Sequence, residues 1–335
     1  MPRSVRMRPA WLVPAVVALR ERWNGVGVAG LARGIFVPLL GLTVFLLIWH
    51  GAAGRIDTSL GQFPGPAQVW SQAANLYHEH QRERSRQAAF YDRQEQRNAE
   101  RMARNPTAEV RVRAYTGKRT FLDQIGTSLI IVMSGFLLAS VVAIPVGVVV
   151  GLSPTVHAAL NPLIQIFKPV SPLAWLPLVT MIVSAVYVSR DPLLDKAFLN
   201  SMVTVTLCCL WPTIINTAVG VGGVSRDLNN VSRVLRLSWV THVRKVVLPS
   251  SIPMMFTGLR VSLGIAWMVL IAAEMLAQSP GLGKFVWDEF QNGSSESLSR
   301  IMVAVLVIGA VGFLLDRGML ILQRRVSWDK SAVVR

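Results

Sequence analysis

The chain has 335 residues, of which 52% are hydrophobic and only 16% charged, against about 25% charged in ordinary soluble domains. A formal charge of +16 would suit a nucleic-acid binder, but long uncharged stretches separate the basic clusters, and that distribution excludes one. The chain's main solvent is lipid.

The N-terminal segment, residues 1–34, carries Arg3, Arg6, Arg8, Arg20, Arg22 and Arg33 against a single acid, Glu21. The first long apolar run starts near Ile35 and reaches Trp49 without a small-residue cleavage site. It reads as a retained span over 35–50 rather than a cleaved signal. A long polar loop follows over 51–124 and includes RERSRQAAFYDRQEQRNAERMAR. Arg and Glu recur there at i,i+3 and i,i+4 spacings, which predicts a solvated helix that Pro106 ends. That helix is a bland exposed surface or, in the sharper reading, a docking face for a partner.

Each spanning helix needs roughly 20 mainly apolar residues. The second candidate is Ser128 to Leu152, uncharged throughout; the third is Ala158 to Val188, interrupted by Lys168 and by Pro162, Pro169, Pro172 and Pro177. Leu199 to Val221, Phe256 to Leu276 and Ile301 to Leu315 complete a set of six. The core then occupies 125–322 and a tail 323–335. Cys208 and Cys209 are adjacent in an apolar run and read as packing residues, and His78 and His80 as solvated surface rather than metal ligands.

Orientation follows from basic residues near the span ends. The N-terminal segment, the loop between spans four and five (Arg226, Arg233, Arg236, Arg244 and Lys245 against Asp227) and the tail (Arg317, Arg324, Arg325, Lys330, Arg335) share one side. That side is expected to be cytoplasmic, which leaves 51–124 outside; long loops translocate largely regardless of charge.

The segment Asn229 to Pro253, NNVSRVLRLSWVTHVRKVVLPSSIP, places Val231, Val234, Leu235, Leu237 and Leu248 among basic and polar residues. Pro249 and Pro253 are expected to close it before span five. A short amphipathic helix between two spans suits insertion into a groove on a soluble partner, with the basic residues steering; the alternative is a helix lying on anionic lipid. No GxxxxGK[ST] phosphate loop occurs, and Gly281-Leu282-Gly283-Lys284 lacks its spacing and its hydroxyl. Charges inside spans are candidates for a solute pathway, because burying one in lipid costs about 2.5–3.5 kcal/mol or more. Lys168, beside Pro169, Ser171 and Pro172, either attracts an anion or snorkels to the interface. Arg260 faces the same choice, with snorkelling favoured; Glu274, the one convincing acid within a span, pairs with a basic residue at a dimer interface or forms a gate, with a structural partner favoured. Trp175, Trp211 and Trp267 wall a pathway or simply pack.

The Asn229–Pro253 segment resembles the EAA loop of binding-protein-dependent ABC transporter permeases. Leu248 and Pro249 match the end of that pattern, whereas Asn230 replaces its usual glutamate and Arg236 its usual glycine. An NVxRVLxLS form typical of the nitrate-type branch is matched by Asn230, Val231, Arg233, Val234, Leu235, Leu237 and Ser238. The likeness continues through FKPVSPLAWLPL (Phe167 to Leu178), LWPTIINTAVGV (Leu210 to Val221), FTGLRVSLGIAW (Phe256 to Trp267) and AAEML (Ala272 to Leu276). It covers about Ile125 to Leu322, with bicarbonate, cyanate and sulfonate permeases close in pattern.

The resemblance implies an all-α, MetI-like permease of six principal transmembrane helices in the bacterial inner membrane, with both termini cytoplasmic. It implies a non-catalytic subunit that forms a homodimer and receives an anion from a periplasmic binding protein. Cytoplasmic ATPases would grip it through loop 223–253, where Arg244 and Lys245 join the motif residues. ATP and magnesium would be held by those ATPases, and this chain would need no cofactor or metal. A secondary transporter is the rival class, but it would show internal repeats and coupling carboxylates near mid-membrane. A membrane-anchored display protein would need no cytoplasmic lever.

Overall fold

A computed structural model describes residues 28–58, 61–105, 110, 112–188 and 194–326. The basic N-terminus up to residue 27, Pro106 and the tail from 327 lie outside the described residues. The chain divides into two compact units, 1–68 and 69–335.

In the first unit, helix α1 (Val28–Ala53) is followed by a two-residue hairpin, β1 (Asp57–Thr58) paired antiparallel with β2 (Gly61–Gln62). Gly61 adopts φ +112°, which favours glycine, and the Thr58 hydroxyl donates to its carbonyl at 2.7 Å. Phe36, Leu47 and Ile48 of α1 are exposed, as lipid-facing side chains are. Trp49 donates its indole N–H to Pro64 O at 3.1 Å.

The second unit contains the bundle. Helix α2 (Pro66–Arg104) carries most of the charged loop, and its 39 residues extend about 58 Å at 1.5 Å per residue. Helix α3 (Phe121–Leu152) opens with a capping box, in which Asp123 N–H donates to Thr120 Oγ1 and Thr120 N–H to the Asp123 carboxylate. Helix α6 (Lys196–Gly222) lies between α3 and α9 (Leu248–Ala277). Lipid supplies no hydrophobic drive for helices to associate, so close backbone approach decides the packing. On α3, Gly135, Ala139, Ala143, Gly147 and Gly151 recur every fourth residue. A Cβ at Gly147 would sit 2.6 Å from Thr217 Cβ, and one at Gly151 2.6 Å from Val221 Cβ. On the opposite side, the Ser262 hydroxyl of α9 donates to Cys209 O at 2.6 Å and lies 2.7 Å from Thr213 Oγ1.

The expected third span is not one helix. Helix α4 (Pro154–Phe167) and helix α5 (Pro172–Val186) meet at 100°, so among the described residues five helices have spanning length, or six if the bent pair crosses once. Pro169 has no N–H to continue the ladder of α4, and Ser171 caps α5 by accepting from Leu173 N–H at 3.3 Å, with Pro172 at its first position. Pro162 and Pro177 lie inside the two helices without ending them.

Two further expectations are corrected. Pro249 and Pro253 do not close the segment before span five: α7 (Arg226–Val234) is followed by α8 (Trp239–His242), which runs through a π-helical turn (Val243–Val247) straight into α9. Pro249 cannot donate to the Lys245 carbonyl, and the ladder shifts so that Leu248 N–H bonds Val243 O. The sixth span does not stop at Leu315. Helix α11 (Ser297–Val326) continues past it, so Asp316 joins Glu274 as an acid within a span; the short helix α10 (Leu282–Asn292) precedes it.

Candidate coupling lever and solute pathway

The residues expected to form a coupling lever gather on and beside α7, α8 and the π-turn, hereafter the lever. The turn after α7 is a Schellman motif: Leu237 N–H bonds Ser232 O at 3.1 Å and Arg236 N–H bonds Arg233 O at 3.0 Å. That geometry requires a left-handed residue, and Arg236 supplies it at φ +48°. Arg236, at the position where the resembling EAA pattern has glycine, thus takes the left-handed conformation itself. His242 Nδ1 lies 2.8 Å from Ser232 Oγ and ties α8 to α7. Leu228, Val231, Val234 and Leu235 expose apolar side chains, Val234 at 81%, so the lever has an unpartnered greasy face. Asn230, Arg233, Ser238, Arg244 and Lys245 are exposed around it, while Leu237, Leu248 and Pro249 are half-buried. Its root is fixed: Val243 and Val247 pack with Val148 of α3 and Val221 of α6. A cleft of about 730 Å³ opens beneath the lever between Gly151, Val221, Arg236 and Trp239.

The expected pathway residues do not come together in one place. Lys168, Pro169, Ser171, Pro172 and Trp175 gather at the α4–α5 elbow, with Lys168 exposed and carrying no ion pair among the described residues. Phe167 stacks on Trp211 with centroids 5.9 Å apart and an interplanar angle of 8°, and lies 5.8 Å from Trp175. The indole N–H groups of Trp175 and Trp211 are buried and have no acceptor among the described residues. Trp211 sits near the middle of α6, in a cluster with Ala143 of α3 and Ile164 of α4. The elbow therefore lies level with the middle of α6 rather than at the end bearing the lever, with Lys168, Pro169 and Ser171 on its exposed side.

Arg260, Trp267 and Glu274 lie on α9, away from the elbow. Arg260 is neutralised: its Nε and Nη2 reach Asp316 Oδ1 of α11 at 3.0 and 2.8 Å, with Oδ2 at 3.2 Å from Nη2. This fork-on-carboxylate pairing replaces the snorkelling expected of Arg260. Trp267 packs, donating to Ile308 O at 2.9 Å. Glu274 is fully buried but meets no base among the described residues. Its Oε1 accepts from Ser128 Oγ at 2.7 Å and its Oε2 from Gly283 N–H at 2.8 Å, while Leu282 N–H donates to Ser128 Oγ at 2.9 Å. Helix α10 has no side-chain cap of its own, so the Glu274–Ser128 pair satisfies its first N–H groups. The Gly281-Leu282-Gly283-Lys284 stretch thus cradles an internal carboxylate; a Cβ at Gly281 would collide with it.

An outer cleft of about 600 Å³, unread in the sequence, lies where α2 meets the bundle. Arg300 bridges Glu79 and Glu289, the latter at 3.1 Å, and Arg84 pairs with Asp123. His80 Nδ1 lies 2.6 Å from Thr120 Oγ1. The segment returning to α3 runs back along α2: Tyr115 Oη donates to Glu83 at 2.7 Å and Arg113 N–H to Gln94 at 2.9 Å. The Tyr115 bond, aided by Arg86, holds the Glu83 carboxyl below its ordinary range against desolvation, and it raises the Tyr115 hydroxyl above its own. The sequence signal was present in Arg300, a lone base at the start of a span, and in Glu289, which follows Asp288 on α10.

Comparison with known proteins agrees with this geometry. Residues 139–328 match the family of binding-protein-dependent transport system inner membrane components. The bicarbonate transport system permease protein CmpB of Synechococcus elongatus is 34% identical over 316 residues, covering 92% of this chain and 98% of that one. The nitrate import permease protein NrtB of Leptolyngbya laminosa is 39% identical over 193 residues, covering 58% and 64%. The taurine transport system permease protein TauC of Escherichia coli is 31% identical over 208 residues, covering 62% and 70%. Among solved structures, a chain of the inward-facing MetNI methionine ABC transporter aligns with TM-score 0.52 at 15% identity, covering 62% of this chain and 96% of that one; this likeness concerns the MetI-like fold alone. The chain belongs to the binding-protein-dependent transport system inner membrane components, as a non-catalytic, multi-pass permease subunit of an ABC importer that works with ATPase and solute-binding partners.

Proposed function

We propose that this permease carries a small planar inorganic anion, nitrate or nitrite, through a pathway lined by the α4–α5 elbow. The observation that carries the reading is the donor set there. Among the described residues Lys168 has no ion pair and two buried indole N–H groups lack acceptors, and the N-terminus of α5 adds its partial positive charge. Nitrate only accepts hydrogen bonds, and Lys168 and the two indoles only donate. Bicarbonate, which the CmpB match over 98% of that protein's length favours as a second reading, carries a hydroxyl that would need an acceptor as well.

In this reading the bent pair counts as one crossing. Both termini and the lever at 223–253 are cytoplasmic, 51–124 is periplasmic, and two copies of the chain pair to enclose the path in the bacterial inner membrane. Cytoplasmic ATPases hold ATP and magnesium, and a periplasmic protein delivers the anion; nucleic acid plays no part. The exposed residues Val231, Val234 and Leu235 seat in an ATPase groove. ATPase closure tilts the lever, and its root moves α3 and α6 between inward- and outward-facing arrangements. ATP-driven uptake of labelled nitrate, competed in turn by bicarbonate, cyanate and alkylsulfonates, tests the solute. Uptake that survives deletion of this chain, or that bicarbonate suppresses better than nitrate itself, refutes it.

A further inference from the structure

We infer that the far half of α2 is the docking face for an acidic surface on the importer's own solute-binding protein. At 100° per residue, Arg82, Arg86, Arg93, Arg97, Arg101 and Arg104 fall within one arc of about 100°, along about 33 Å of helix. The first two line the outer cleft at the bundle. The last four extend beyond it and have no carboxylate partner among the described residues. Of the acids beyond Arg86, Asp92 and Glu95 lie off this arc and only Glu100 falls on it.

The chemistry of this half-helix decides its occupant. A helix that rests on lipid needs a continuous apolar face, and residues 91–104 (YDRQEQRNAERMAR) have none. A second copy of the chain would bring the same arginines and be repelled. The ATPases belong at the lever. What remains is a soluble, acidic partner on the α2 side, and the family's members depend on a binding protein. Guanidinium groups held on a rigid helix would orient that partner over the outer cleft and speed its encounter. This inference rests on the assignment of 51–124 to the periplasm, not on which anion is carried.

The experiment uses the reconstituted transporter with its own binding protein, purified with whatever solute it retains. Replacing three charges together (Arg97→Glu, Arg101→Glu, Arg104→Glu) should raise the binding-protein concentration for half-maximal ATPase stimulation by on the order of tenfold at low salt. Basal ATPase activity should stay unchanged and the salt dependence should flatten. A photo-reactive side chain at Glu100 should trap the binding protein, and one at Glu95, on the opposite face, should not. An unchanged stimulation curve, equal trapping at both positions, or adducts only with lipid or another permease copy overturns the assignment. A cysteine at position 100, probed by an impermeant maleimide in spheroplasts, separates the causes: no labelling overturns the proposal through its topology, and labelling with unchanged stimulation overturns the docking face alone.

Discussion

Replacing Glu274 with alanine should be among the most destabilising single changes in the bundle. The substitution removes both oxygens and leaves the Gly283 N–H and the Ser128 hydroxyl without an acceptor, in a site with no access to water. Each buried group left unpaired costs about 1–3 kcal/mol, so the pair gives about 2–6 kcal/mol before any cavity term. Glutamine keeps the shape and one acceptor. Its amide oxygen can still take the Gly283 N–H, while its nitrogen turns the Ser128 hydroxyl toward a new partner, and we expect a loss of about 1–2 kcal/mol. Thermal retention of the detergent-solubilised permease, followed as the surviving monodisperse fraction, should rank wild type above Glu274→Gln and Glu274→Gln above Glu274→Ala. Ser128→Ala should also be unstable, because it strands the Leu282 N–H. If alanine and glutamine prove equally harmful, or both harmless, the cap on α10 is not what Glu274 provides.

Arg236→Gly should stabilise the lever by about 1 kcal/mol, since glycine enters the left-handed region without the Cβ penalty; a lower melting temperature for this variant would contradict the Schellman turn. Gly147→Val should cost about 1–3 kcal/mol or more, because its Cβ meets Thr217 Cβ at 2.6 Å and Ile214 O at 2.9 Å, and loss of the folded fraction in detergent measures it. The Glu83–Tyr115 tether should depend on pH at both ends. Glu83 titrates lower when folded, so its contribution is complete above the ordinary glutamate range and disappears as pH falls through the depressed value. Tyr115 titrates higher when folded, so its contribution is complete below the ordinary tyrosine range and disappears as pH rises through the raised value. Hydrogen exchange along 112–119 should speed up outside both limits and stay flat between them, and Tyr115→Phe should abolish the alkaline transition and weaken the acid one, where Arg86 still acts on Glu83.

The bundle was legible because lipid imposes a long uncharged run that composition alone reveals, and Ser128–Leu152 lies wholly within α3. The lever was legible as an amphipathic segment, although its prolines misled. Pro249 and Pro253 are strong breakers in water, but here a π-turn and the packing of Val243 and Val247 carry the helix through them. The elbow announced itself by proline density without revealing which pair would break: Pro169 and Pro172 do, because Ser171 can cap the second helix. The partners of Arg260 and Glu274 were not legible. Each joins residues far apart in sequence, 56 positions for Arg260 with Asp316 and 146 for Glu274 with Ser128, and no local pattern encodes such a meeting.

Because α8, the π-turn and α9 form one unbroken rod, the two ends of that rod cannot act separately. Its 30-residue α9 portion spans about 45 Å, from the place where a motor would push to the site where Glu274 holds the roof of the bundle. A tilt imposed at the lever end would therefore reach α10 along one continuous helix, whose weak points are the π-turn and the prolines beside it.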